Sequence, residues 1–292
     1  MTPPRLPQTL GAEAARAAAL GAWQLEQLRR WRAEAPEWVV VVVDEAMAAL
    51  PPSGPAWHRF VPRPPAVHDL VTLLADVARD PRPRGVVLHL RALQLPATSI
   101  ETLRAAVAGA RAAGKRVVAW SSGYTLGGYR LAAACDVIAL QKGGHVGPLG
   151  MGHRFVHVAD GLARAGLAFE AVQISPYKTA ADAFTRRSPS PEARAMAEWL
   201  LDGAWAEAVA DIAAGRGWTA EAAQAALGAG FHTDLEARAA GLVDVIASEE
   251  ELPALLASAD GVPVATVAPP APAAARAAAP AASDGPPPAR LA

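Results

Sequence analysis

The chain has 292 residues, enough for one large domain or two small ones. Its net charge of −1 gives no footing for a nucleic-acid or polyanion partner, and its one cysteine, Cys135, excludes an internal disulfide framework and a cysteine-rich zinc site. Hydrophobic residues make up 52%, a figure inflated by alanine, and no stretch approaches the roughly 20 apolar residues of a membrane span.

Residues 1–8 are Pro-rich, and no basic region leads into an apolar core, so no secretory signal is read there. Residues 9–35 place Leu20, Trp23, Gln27, Leu28 and Trp31 at helical spacing beside Arg29, Arg30 and Arg32, which predicts an amphipathic helix. Such a helix suits packing on the protein body or a second subunit, and its aromatic and basic mix suits a membrane surface. The expectation is a cytoplasmic protein that can associate with a membrane only peripherally.

The main body begins at Trp38. Residues 39–43 are a β-branched run expected as a strand buried on both faces. A Pro-rich loop with Trp57 and Phe60 leads to a helix over 66–79, a strand at Gly85–Leu90, and a helix over 98–113 with Thr98 or Ser99 as its cap. A strand at 116–120, a turn at 121–124, a helix at 126–134 and a strand at 137–140 follow. Cys135 reads as a small core hydrophobe at a helix end. The Gly-rich stretch 142–152 predicts no regular element. Then come a helix over 155–165, a strand over 168–174, and a loop carrying Tyr177 and Lys178. Ser190 and Pro191 cap and open a long helix to 215. Short helices at 219–227 and 234–240, a strand at 242–246 and a helix at 249–258 complete the body. Strands alternating with long helices predict an α/β fold with a parallel sheet and crossover helices. Residues 263–292, almost wholly Ala and Pro, predict a disordered tail or linker. The domain expectation is an N-terminal arm over 1–37, a body over 38–260 and the tail over 261–292.

The chain uses lysine sparingly, at Lys115, Lys142 and Lys178, against many arginines. Lysine is the basic side chain that burial can deprotonate, so Lys178 just past an apolar strand is a candidate general base. Arg186 and Arg187 read best as a solvated loop end or as ion pairs to Asp182 and Glu192. Gly127 and Gly128 ahead of Tyr129 fit either close helix–strand packing or backbone N–H groups gathered at a helix start, with nothing in the sequence to choose between them. No dinucleotide or phosphate-loop glycine pattern is present, and no nucleophile elbow. His153 and His157 have helical metal-ligand spacing but lack a companion glutamate or third ligand, so neither a metal nor a cofactor is expected.

From Trp38 to Ala247 the chain resembles the signal peptide peptidase A, or protease IV, family of Ser/Lys serine peptidases. The residues that carry this are GVVLHL, the stretch LRAAVAGARAAGKRVVAW, GGYRLAAACDVIAL, the loop SPYKTAADAFTRRSPSPEARA and the closing EARAAGLVDVI. The resemblance implies a Clp/crotonase-like fold, a peptide substrate such as a cleaved signal peptide, ring-shaped oligomers, and Lys178 as the base of a Ser/Lys dyad. Ser175, Tyr177 and Thr179 stand where they can orient its amine. The chain is similar to the lysine-bearing N-terminal half of the long family members. Leu126 occupies the nucleophile's position, and Arg91 to Leu95 replace the glycine turn that holds the oxyanion. The implied serine therefore comes from a second half or a homologous subunit. Two other readings remain: a non-catalytic assembly subunit of such a peptidase, and a crotonase-type acyl-CoA enzyme.

Overall fold

Glu37 leads into β1 (Trp38–Val43), the edge of a six-stranded sheet. The computed structural model describes residues 37–44, 47–51, 65–91 and 93–257. The expected helix over 9–35, the loop around Trp57 and Phe60, and the Ala/Pro tail lie outside the described residues. After β1 come α1 (Val67–Arg79), β2 (Gly85–Leu90), α2 (Ala97–Ala112), β3 (Arg116–Tyr124), α3 (Leu126–Ala132) and β4 (Val137–Val146). The second half holds α4 (Ala159–Arg164), a 3-10 turn at Thr179–Ala181, α5 (Asp182–Thr185) and α6 (Pro191–Arg216). It closes with α7 (Ala220–Gly228), β5 (His232–Thr233), α8 (Asp234–Ala239), β6 (Val245–Ile246), a 3-10 turn at Glu249–Glu251 and α9 (Leu252–Ala257).

Strands β1 to β4 pair in sequence order and all in parallel, so each connection must cross over, and α1, α2 and α3 make those crossings. All three helices pack on one face. Leu70, Leu74 and Val77 of α1, Ile100, Leu103 and Val107 of α2, and Tyr129 and Leu131 of α3 join one large core with Val86, Leu88, Val117 and Ile138. The i, i+3, i+7 spacing in α2 is the apolar stripe that burial selects. The other face is thinner: Val87, Val118, Trp120, Val137 and Ala139 are covered by Leu252, Leu255 and Leu256 of α9. The Trp120 indole donates to the Ala247 carbonyl (2.9 Å) and fixes that cover. The α/β parallel sheet with crossover helices is therefore the fold.

Several local expectations give way to it. β1 is not buried on both faces: Val41 and Val43 enter the core, whereas Val40 and Val42 point outward and are exposed, as an edge strand under one helical layer requires. β3 runs through the expected turn to Tyr124, with a register shift against β4 between Ser121 and Gly123. β4 runs through the glycines of the stretch 142–152 as far as Val146. A Cβ on Gly144 would stand 2.6 Å from the Ser122 carbonyl oxygen, so glycine there serves a close strand approach rather than a loop. α2 starts one residue earlier than expected; Pro96 is its N-cap, and neither Thr98 nor Ser99 caps it. Helix 155–165 shrinks to Ala159–Arg164, and strand 242–246 to Val245–Ile246. No strand forms over 168–174; its residues are exposed and outside the sheet.

Helix α6 meets the body at its C-terminal end, where Val209 and Ile212 are buried and Gly215 lies against the end of α3. A Cβ on Gly215 would sit 2.0 Å from the Ala133 carbonyl oxygen, whereas one on Gly203 of the same helix meets nothing within 4 Å. Gly215→Ala should therefore destabilise the chain by about 2–4 kcal/mol through overpacking against backbone. Gly203→Ala should be neutral or stabilising by up to about 1 kcal/mol. Denaturant titrations of the two variants check the contrast.

Candidate active site

The start of α3 is built from apolar side chains. Thr125 is its N-cap, accepting from the Gly128 N–H (3.4 Å) and donating to the Leu93 carbonyl (3.3 Å). Leu126, at the first helical position, packs against the main core. A Cβ on Gly127 would lie 2.9 Å from Ile100 Cδ1, and Leu93 and Leu95 are both buried beside it. The two glycines thus serve close packing. Against the alternative, a cradle of free N–H groups, Thr125 takes the Gly128 amide and the Ile100 side chain lies against Gly127. Behind this helix, Tyr129 and Tyr124 donate to the Leu242 (2.7 Å) and Ala139 (2.8 Å) carbonyls, and burial pushes both phenols well up. Burial likewise pushes the Cys135 thiol up, in keeping with an inert core residue.

Lys178 sits in a separate appendage between β4 and α6. The turn that carries it is closed by the Lys178 N–H donating to the Ser175 carbonyl (3.0 Å), with the Tyr177 N–H facing Ser175 Oγ (3.4 Å). Ser175, Tyr177, Lys178 and Thr179 are thus brought together in one turn, but Ser175 Oγ supports the backbone rather than the amine. Thr179 faces a groove with His153 and Phe155 on one side and Met196, Leu200 and Leu201 of α6 on the other.

The expectation that Lys178 is buried behind an apolar strand is not met. The residue is exposed, because the 168–174 segment before it lies on the surface. It nevertheless differs from the other two lysines. Lys115 is buried, its ammonium donating to the Asp80 and Pro83 carbonyls, and Lys142 pairs with Glu251. Among the described residues, nothing accepts from or pairs with the Lys178 amine.

Its surroundings are unusually apolar for a surface. Val172 is 98% exposed, Ile174 83% and Trp199 of α6 76%, and Leu167, Phe169, Tyr177, Phe184 and Leu200 are exposed with them. Phe169 and Phe184 touch, ring centroids 5.1 Å apart, so these two are joined rather than scattered single side chains.

The flanking charges are structural. Arg186 approaches Asp182 (3.8 Å) as expected, whereas Arg187 pairs with Asp160 (2.6 Å) and not with Glu192. His153 and His157 share no helix. His153 stacks edge-on against Phe155, and His157 Nδ1 donates to the Asp182 and Arg186 carbonyls, both at 3.1 Å. No group of three metal-ligating side chains forms among the described residues. Two residues that the sequence reading did not place at the site are Gln173 and Asp182. Gln173 hydrogen-bonds the Lys178 carbonyl (3.0 Å), and Asp182 is buried. An isolated acid four residues past a lysine gives no sequence signal of either.

Comparison with known proteins points to a peptidase family. The model of peptidase family S49 matches residues 109–262. Protease 4 of Haemophilus influenzae is 31% identical over 144 residues, covering 48% of this chain and 23% of its own length. The chloroplastic serine protease SPPA of Arabidopsis thaliana is 25% identical over 185 residues, covering 63% of this chain and 27% of its own length. The chain therefore spans about a quarter of the length of the curated relatives it matches. Among solved structures, the 1510-N membrane-bound stomatin-specific protease superposes with a TM-score of 0.40 at 13% identity, over 64% of this chain and 75% of that one.

The three lysines make the geometry testable. Brief treatment of the native protein with an amine-acylating reagent should modify Lys178 first, Lys142 more slowly, and Lys115 only on unfolding. Peptide mapping by mass spectrometry reads the order, and early modification of Lys115 would contradict its burial.

Proposed function

The chain belongs to peptidase family S49, and from that we propose that it is the lysine-bearing component of a Ser/Lys peptidase whose nucleophile another polypeptide, or a second half, supplies. The observation that carries this is the pairing of an unengaged Lys178 amine with a leucine at the nucleophile's position. Lys178 stands in an exposed apolar patch, and Leu126 stands where no attacking oxygen is available.

In this reading the patch is the contact for the serine-bearing partner. Covering a side chain such as Val172, Ile174 or Trp199 contributes roughly 1.5–3 kcal/mol. A handful of them offsets an association cost of about 4–15 kcal/mol. The same contact removes water from Lys178, which lowers the amine's affinity for a proton. The neutral amine then takes the proton of the partner's serine hydroxyl as its oxygen attacks a peptide carbonyl. N–H groups of the partner hold the oxyanion, since residues 91–95 here lack the glycine turn that would present them. The ammonium returns the proton to the leaving amine, and the amine next activates the water that releases the acyl group. Tyr177 and Thr179 flank the amine; the substrate is a peptide, such as a cleaved signal peptide. The described helices include none long and apolar enough to cross a membrane.

One other reading has an observation of its own. The filled approach to α3 suits a subunit that only builds the assembly. The same filling weighs against acyl-CoA chemistry, which needs paired N–H donors at that place.

Co-purified with its serine-bearing partner, the chain should form a complex of higher mass than the free chain in light scattering. Lys178→Ala should lower peptide hydrolysis by that complex at least about a thousandfold, with assembly mass unchanged. Lys178→Arg should fare no better, because arginine stays protonated. Wild-type turnover in the alanine variant would leave the assembly-subunit reading in its place.

A further inference from the structure

We propose that Asp182 is the positioning residue of this site: it ties the backbone of Lys178 to the N-terminus of α6 and so fixes where the amine stands. The proposal rests on Lys178 being the base, but the clamp is visible without it. Between residues 151 and 190 the only buried residues are Asp182 and Ser190; every apolar side chain of that stretch is exposed or half-exposed. The appendage therefore has a polar hub where a domain has a hydrophobic core. Burying a carboxylate is costly unless it is hydrogen-bonded, and here its partners join the ends of the appendage.

Ser190 Oγ donates to Asp182 Oδ2 (2.5 Å) while accepting from the Ala193 N–H (3.2 Å) as the N-cap of α6. Gln173 Nε2 donates to the Lys178 carbonyl (3.0 Å) and reaches Asp182 Oδ1 (3.4 Å). The main-chain carbonyl of Asp182 accepts from His157 Nδ1 (3.1 Å), which brings in the strand of chain before α4. One carboxylate thus connects the turn that bears Lys178 to the one element, α6, that is anchored in the body. The Ser190 hydrogen bond, with help from Gln173, the Ser190 amide and Arg186, holds the Asp182 carboxyl below the usual carboxylate range despite its burial. The clamp is therefore charged, and charge-assisted bonds are the stronger kind.

An amide in place of the carboxylate accepts on one side only and turns a second donor toward Gln173 or Ser190. In the full chain, Asp182→Asn should raise hydrogen exchange of the 173–182 amides about tenfold or more, which corresponds to losing one charge-assisted bond. It should also shift and broaden the Lys178 resonance of the ¹³C-dimethylated protein, leaving that of Lys142 unchanged as internal evidence that the body is folded. In the serine-bearing complex, kcat should fall at least about tenfold with KM within about twofold, and Asp182→Glu should recover part of it. Unchanged exchange and an unchanged Lys178 signal overturn the proposal. So does faster exchange with full kcat in a complex whose activity does depend on Lys178, because the clamp would then be structural only. If the clamp signals change as expected while Lys178→Ala retains activity, the clamp stands and the role of Lys178 as base is what fails.

Discussion

The arrangement depends on one half-buried carboxylate, Asp211 of α6, gripped by two arginines. Arg130 of α3 reaches it with Nε at 2.8 Å and with Nη2, and Arg104 of α2 with Nη2 at 3.0 Å. Arg104 also donates to the Arg130 carbonyl (2.7 Å), which closes the triad. Such a network adds little over a well-packed apolar contact, but losing one member strands the others, at about 3–5 kcal/mol. Its effect is to fix direction. Five residues on, Arg216 repeats the device, pairing with Asp244 (2.8 Å) and lying over the Trp218 ring at 5.6 Å. With both clamps in its last two turns, the helix leaves about 30 Å of axis between Asp211 and Pro191. Its free end is where the Lys178 appendage is mounted.

That geometry separates two kinds of stability in one chain. The sheet and α1 to α3 are held by a continuous apolar core, in which Leu74, Val107, Ile138 and Leu140 have almost no exposure. The appendage is held by hydrogen bonds around Asp182 and by one face of α6. Segments with few buried apolar contacts open at lower free energy than core elements. A lysine mounted there can be adjusted by whatever covers it, whereas Leu126, packed against the main core, cannot be converted to another role without disturbing that core.

The sheet was legible because its strands are short apolar runs between helices with clear stripes, and the Ser190–Pro191 start of α6 because capping chemistry is local. The closing GLVD stretch was legible as a motif, and the structure gives its reason. Leu242 and Val243 are buried, and Asp244 accepts from the Ile138 N–H (2.8 Å) and pairs with Arg216. Errors arose where the decisive partner is distant in sequence. Gly144 reads as loop until the Ser122 carbonyl is seen against it, and β1 reads as a central strand until it is found at the edge. The lysine's role was legible only by resemblance; the hub behind it was not legible at all, since Gln173, Asp182 and Ser190 meet only after the chain folds back on itself.

The run 168–174 is the instructive failure. Its composition asks for burial, and periodicity alone cannot distinguish burial within a sheet from burial against another molecule. Beside β4, the strand that precedes it in the chain, there is no vacancy for it: β4 is already flanked by β3 on one side and by β5 and β6 on the other. The apolar pattern is thus answered by no surface of the described chain, and the same holds for Trp199 and Leu200 on the adjoining helix face. The proposed chemistry has a related requirement, because removal of water favours a neutral amine. One covering surface meets both, drying the valine and isoleucine side chains and the amine beside them in a single step. The apolar run and the proposed base would then be completed by the same contact, with no change in the fold of the part that carries them.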